Sequence, residues 1–83
     1  MEQIASSPRQ LGALVQRIRQ EAGLNQTEAA NLVGLRQEIV SQIETGQPGV
    51  RLSAVYSLLG VLNLELVVRT RARRSDDDRE DIE

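Results

Sequence analysis

The chain has no cysteine and no histidine. Without thiols, neither disulfides nor thiolate metal sites can brace the fold. Without imidazole, the commonest general base and metal ligand is missing. No serine or acid has a base partner that would make it a nucleophile. We therefore expect no enzyme, no cofactor and no resident metal; the run Asp76-Asp77-Asp78 can attract a divalent cation only as any acidic tail does. Aromatics are nearly absent, Tyr56 being the single one, so the core must be built from Leu, Val, Ile and Ala. No apolar run approaches the roughly 18 residues of a membrane span, and no signal-peptide pattern opens the chain. The expectation is a cytoplasmic protein.

Eighty-three residues make one domain with a small core. The net charge of −2 is unevenly spread. Residues 1–71 hold seven Arg against six acids, a balance of +1, whereas residues 72–83 hold three Arg against six acids, a balance of −3. The acidity belongs to the tail. Every cation in the first 71 residues is arginine, which grips phosphate and guanine with two parallel hydrogen bonds where lysine cannot.

The stretch from Asn25 to Gly46 organises the rest. Asn25 suits an N-cap, and Glu28 stands three residues on, as a capping box requires. Ala29, Ala30, Leu32 and Val33 offer a short helix an inward face. Gly34 can take the left-handed conformation that ends it, and Leu35 can plug the corner. A second helix buries Val40 and Ile43 and ends at Gly46, while Arg36, Gln37, Glu38, Ser41 and Gln42 stay polar. Two short helices around a tight turn are the layout of a helix-turn-helix, whose second helix enters the DNA major groove.

The flanks complete four helices, predicted at 8–22, 26–33, 37–45 and 52–62. Residues 1–6 have little pattern and are expected to be flexible. Ser7-Pro8 is a helix start, a capping hydroxyl followed by a proline whose missing N–H does no harm in the first turn. Leu11, Leu14, Val15, Ile18 and Ala22 then form one apolar stripe, closed by Gly23. After the loop Thr45–Gly49, residues Leu52, Val55, Tyr56, Leu58, Leu59 and Leu62 space as the fourth helix. Gly60 inside it costs about 1 kcal/mol relative to alanine, which points to close packing there or an early end. From Leu64 to Thr70 the period changes from 3.6 to 2. This strand has no partner in the chain, and its backbone groups need one, so we expect it to pair with the same strand of a second copy through Leu64, Leu66, Val67 and Val68. The domain plan is thus 1–6, a folded domain 7–63, a dimerisation strand 64–70 and a charged disordered tail 71–83.

Residues 11–62 resemble the Cro/C1-type (lambda repressor-like) helix-turn-helix domains. Leu14, Ile18, Arg19, Gly23, Leu24, Gln26, Ala30, Gly34, Val40, Ser41, Ile43, Glu44 and Gly46 carry the resemblance. It implies an all-α fold of four to five helices, a phosphate contact from Gln26, a structural role for Glu44, and base reading from Arg36, Gln37, Glu38, Ser41 and Gln42. Most of the chain is also similar to the HipB-like antitoxins. That similarity rests on Ser7-Pro8 and Gln10-Leu11, on Arg19-Gln20-Glu21-Ala22-Gly23, on the Gln37 to Ser41 helix, and on the short fourth helix running into Leu64-Glu65-Leu66. It implies a homodimer whose terminal strands pair, a repressor of its own operon bound to double-stranded operator DNA, and the antitoxin of a HipA-like Ser/Thr kinase toxin. Two departures stand out: Arg36 replaces the usual capping Ser or Thr, and the tail lacks an aromatic end.

Chemistry narrows the roles. Gln37 or Gln42 suits adenine, Arg36 suits guanine or a phosphate, and Glu38 suits cytosine or the rim, with the rim preferred. Gln26 and Thr27 open a helix whose dipole favours phosphate, and Arg17 and Arg51 can add phosphate contacts. Arg19 is better placed for a salt bridge to Glu44 than for DNA. Glu65 and Arg69 can pair across the dimer or simply face water, and the acidic tail can dock on a basic toxin surface or compete with DNA. The main alternatives are a stand-alone phage-like or restriction-control repressor without a toxin, and a protein adaptor that binds no duplex. When bound to DNA, the protein would be associated with the nucleoid.

Overall fold

A computed structural model describes residues 2–71. Four helices follow in order: α1 (Pro8–Glu21), α2 (Gln26–Leu32), α3 (Gln37–Glu44) and α4 (Leu52–Val61). Their starts obey the capping chemistry of the sequence. The Ser7 hydroxyl accepts from the Gln10 N–H at 3.1 Å, with Pro8 in the first turn. Asn25 and Glu28 form the reciprocal box, at 2.7 Å and 2.9 Å. By contrast, Arg36 and Arg51 cap α3 and α4 without any side-chain hydrogen bond to the helix.

All four helices stop in the same way. After each C-cap comes a residue with positive φ: Gly23 (78°), Gly34 (72°), Gly46 (74°) and Asn63 (61°). The next N–H reaches back to the third carbonyl from the helix end: Leu24 to Arg19, Leu35 to Ala30, Gln47 to Gln42 and Leu64 to Leu59, at 2.8–3.2 Å. This is the Schellman arrangement, which satisfies carbonyls that a helix end leaves open. Leu24, Leu35 and Leu64 also turn onto the core, supplying the apolar contact that accompanies it.

The core is aliphatic, as expected. Val15 from α1, Ala29 and Ala30 from α2, Val40 and Ile43 from α3, and Ala54, Leu58 and Leu59 from α4 are buried together with Leu62. Helix α3 packs against the other three. Its approach to α1 is backbone-close: a Cβ on Gly12 would stand 2.7 Å from the Glu44 carbonyl carbon and overlap the carbonyl oxygens of Ile43 and Glu44. Gly46 meets the start of α1 in the same fashion, where a Cβ would lie 2.7 Å from the Cα of Arg9.

Several expectations need correction. Each helix ends one residue earlier than periodicity suggested, because the left-handed turn takes the residue before it as its cap. Leu32 is 61% exposed, on the outer side of α2, since Ala29 and Ala30 already fill its inner face. Ala22 is likewise outside. Leu52 and Tyr56 lie on the solvent side of α4, at 63% and 50% exposure, because Ala54, Leu58 and Leu59 form its inward stripe. Gly60 is exposed, with nothing within 4 Å of a would-be Cβ, so no close packing explains it. The strand expected at 64–70 is a different case, since it needs a second copy to pair with and the single chain does not test it: here the residues form no strand, the Leu64 N–H donates to the Leu59 carbonyl, and Leu66, Val67 and Val68 are exposed. The expectation for the tail beyond Arg71 lies outside the described residues.

Candidate nucleic-acid interface

Helices α2 and α3, joined by the turn at Gly34, form the helix-turn-helix unit. Burial of Val40, Ile43 and Glu44 orients α3. The residues at its head and those between them form the polar side: Arg36, Gln37 and Glu38 are exposed, and Ser41 and Gln42 are half-buried. The Thr45 hydroxyl donates to the Ser41 carbonyl at 2.9 Å and secures the last turn.

Beneath this face lies a buried ion pair. Arg19 Nε donates to Glu44 Oε2 at 2.6 Å, and a second guanidinium nitrogen donates to Oε1 at 3.0 Å. The third nitrogen donates to the Leu24 carbonyl at 2.8 Å, tying the pair to the turn after α1. The side chains are only 7% and 1% exposed. The hydrogen bond to Glu44 holds the Arg19 pKa above its ordinary value, against the opposing pull of burial, so the guanidinium stays charged. A bidentate pair whose third guanidinium nitrogen is also hydrogen-bonded is the geometry in which burying two charges is tolerable. The preference for Arg19 as a structural partner of Glu44 is met.

The pair extends to the surface. Gln26 Nε2 donates to Glu44 Oε1 at 3.0 Å, and Gln37 Nε2 donates to Gln26 Oε1. A chain of hydrogen bonds thus runs from Arg19 through Glu44 and Gln26 to Gln37, the first residue of α3. The sequence singled out all four residues, but not the link between them. Their separations of 25, 18 and 11 positions carry no periodic signature, and only the packed turn brings them together. One amide hydrogen of Gln26 is left over, at the opening of α2. Thr27 is exposed beside it, as are Arg17 on α1 and Arg51 at the head of α4. Among the described residues, Arg17, Arg36 and Arg51 form no ion pair. Gly12 is the contributor that sequence reasoning missed, because it sets how closely α1 approaches the α3 end bearing Glu44. Its only sequence trace is a lone glycine inside a strong helix.

A short α2, a glycine turn, an α3 with an outward polar face, and a buried Arg–Glu pair beneath the turn define a DNA-binding helix-turn-helix domain. The chain belongs to the helix-turn-helix domain family, which it matches over residues 10–74. Within that family its fold is Cro/C1-type and HipB-like. It superposes on a chain of the solved HipA-HipB-O2-O3 complex with a TM-score of 0.78 and 27% identity, covering 86% of this chain and 100% of that one. A chain of a HipB-O4 20mer complex matches with the same figures. A chain of a HipB(S29A)-O2 20mer complex matches with a TM-score of 0.79 and 26% identity, over 87% of this chain and 100% of that one. No curated protein matches the chain. Among the described residues no helix is long and apolar enough to cross a membrane.

Proposed function

We propose that this protein is a transcriptional repressor that binds an inverted-repeat operator as a homodimer and serves as the antitoxin of a HipBA-type pair, autoregulating its operon and holding a HipA-like kinase toxin. The observation that carries the DNA-binding part is the Gln26–Gln37 contact, anchored on buried Glu44 at the head of an outward-facing α3. The similarity to chains of the HipA-HipB-O2-O3 and HipB-O4 20mer complexes, over the whole length of those chains, supports the antitoxin part.

In this reading Gln37, Arg36, Ser41 and Gln42 meet base edges in the major groove, with Glu38 at the rim. Gln37 pairs with adenine through its amide. The free amide hydrogen of Gln26, the Thr27 hydroxyl, Arg17 and Arg51 meet phosphate. The exposed Leu66, Val67 and Val68 form the seam between subunits as a two-stranded ribbon, which gives their backbone groups a partner, with Leu64 at its near end, anchored by the Leu59 carbonyl. Two-fold symmetry then sets the half-sites about 34 Å apart. The protein works in the cytoplasm, on the nucleoid while bound to DNA.

The test is duplex binding by fluorescence anisotropy across a salt series. Affinity should fall by about 0.9 log units per log unit of salt for each phosphate neutralised. Gln37→Ala should cost about 1–3 kcal/mol on the selected site and leave random duplex alone. Equal losses on both duplexes would remove Gln37 from readout, and no salt-dependent binding at all would leave a protein adaptor. Co-purification with a HipA-like kinase, added as a defined partner, distinguishes the antitoxin from a repressor that works alone.

A further inference from the structure

We infer that Ile82 docks in an apolar groove of its own chain, with Asp81 and Glu83 against Arg9 and Arg51, so that the tail must leave before DNA phosphate can take Arg51. The competition for Arg51, though not the docking, rests on the proposal that Arg51 meets phosphate.

The groove lies between the segment before α1, the loop after α3 and the start of α4, and its volume is about 400 Å³. Pro8, Leu11, Val50, Leu52, Val55 and Leu66 line it. Leu52 is 63% and Leu66 42% exposed, so aliphatic surface is left facing water. An apolar cavity of about 150 Å³ already takes benzene, so an isoleucine side chain has room here. Two arginines flank the groove. Arg51 stands between Val50 and Leu52, and Arg9 follows Pro8, its backbone packed on Gly46. Both are exposed, and among the described residues neither forms an ion pair. The occupant that fits is an apolar side chain with an acid on each side.

Residues 72–83 lie outside the described residues, and their sequence holds such a unit once. Ile82 is their only large apolar residue, and it stands between Asp81 and Glu83. The path of the chain brings it near. Leu66 lines the groove, as do Ala5 and Ser6, and Arg69 meets Glu2 at 3.6 Å, so the chain leaves the fold beside the groove. At about 3.3 Å per residue, the five steps from Leu66 to Arg71 carry it no more than about 17 Å away, and the eleven from Arg71 to Ile82 span up to about 36 Å. The tail can therefore turn back with length to spare. A tether this short gives a millimolar effective concentration, so a contact too weak to join separate molecules is still populated. A partner peptide or the tail of a second copy lacks that advantage.

The experiment uses the full chain. It has no cysteine, so Arg79→Cys places a nitroxide at a single site. Paramagnetic broadening of methyl signals is compared in this protein and in the same protein with Ile82→Ser, which removes the aliphatic group and keeps the acids. Val50, Leu52 and Val55 should broaden more than Leu32, on the outer side of α2, and the difference should vanish with Ile82→Ser. Equal broadening at all four, or a difference that survives Ile82→Ser, overturns the docking. Broadening in isotope-labelled wild type mixed with unlabelled, nitroxide-bearing protein overturns it too, because the tail would then come from a second copy. In duplex binding at low salt, Ile82→Ser alone should tighten affinity for random duplex by about two- to fivefold. Unchanged affinity overturns the competition. Absence of duplex binding in both proteins would refute the repressor, and the competition with it, while the docking still stands or falls on the methyl signals.

Discussion

Replacing Gly12 by alanine should destabilise the protein, and replacing Gly60 by alanine should stabilise it. Both glycines sit inside helices, so alanine gains about 1 kcal/mol of helix propensity at either position. The surroundings decide the sign. At Gly60 nothing lies within 4 Å of the new methyl group, so the propensity gain stands unopposed. At Gly12 the methyl carbon would sit 2.7 Å from the Glu44 carbonyl carbon, and closer still to two carbonyl oxygens. These are backbone atoms in the last turn of α3, which cannot rotate aside as a side chain can. The helices must separate, and overpacking of this kind costs about 1–3 kcal/mol. Taking the upper end for a rigid obstacle and subtracting the propensity gain leaves a net loss of about 2 kcal/mol. For a domain of this size that lowers Tm by roughly 8–16 °C. Circular dichroism at 222 nm, with heat and with urea at one fixed protein concentration, measures both variants. A Gly12→Ala protein as stable as wild type would refute the claim that α1 and α3 meet backbone to backbone. A Gly60→Ala protein that melts lower would refute the open environment of Gly60.

Other consequences are checked by the same melts. Arg19→Met or Glu44→Leu alone should each cost about 3–5 kcal/mol, because one buried charge is left unpaired, while the double replacement should recover much of that loss. Equal losses for single and double variants would mean that the pair acts through packing alone. Asn63→Ala should cost about 1–2 kcal/mol, since its φ of 61° is strained for any residue with a plain Cβ. Asn63→Gly should not lose stability, and a loss there would show that the asparagine side chain, rather than the backbone angle, holds the stop.

The helix plan was legible because its punctuation is local. Ser7-Pro8 and Asn25 with Glu28 announce starts, and Gly23, Gly34 and Gly46 announce stops, through bonds spanning three to five residues. Aliphatic spacing likewise pointed to Val15, Val40, Ile43, Leu58 and Leu59. Periodicity failed where the question was how near two backbones come. Gly12 and Gly60 look alike in sequence, and suspicion fell on Gly60, although Gly12 is the one pressed against α3. It failed also for Leu32, Leu52 and Tyr56, whose apolar character says nothing about whether this chain covers them. At the candidate interface, residue type and helix register pointed to Gln37 and the helix start to Gln26, whereas Glu44 stood out only through the resemblance to the Cro/C1-type domains. Their shared hydrogen bonds depend on the angle between α2 and α3, which only the packed turn determines.

The repeated stop after every helix bears on how the chain acquires its shape. Each boundary is decided by near neighbours along the polymer, so rod lengths do not await distant partners. What remains is the docking of four pre-measured segments through short connectors, a low-contact-order problem of the kind that small helical proteins solve quickly. Lengthening the connector after Gly34 by one residue should then leave helix content nearly intact while turning α3 out of register with Arg19 and Gln26, the partners of Glu44 on α1 and α2.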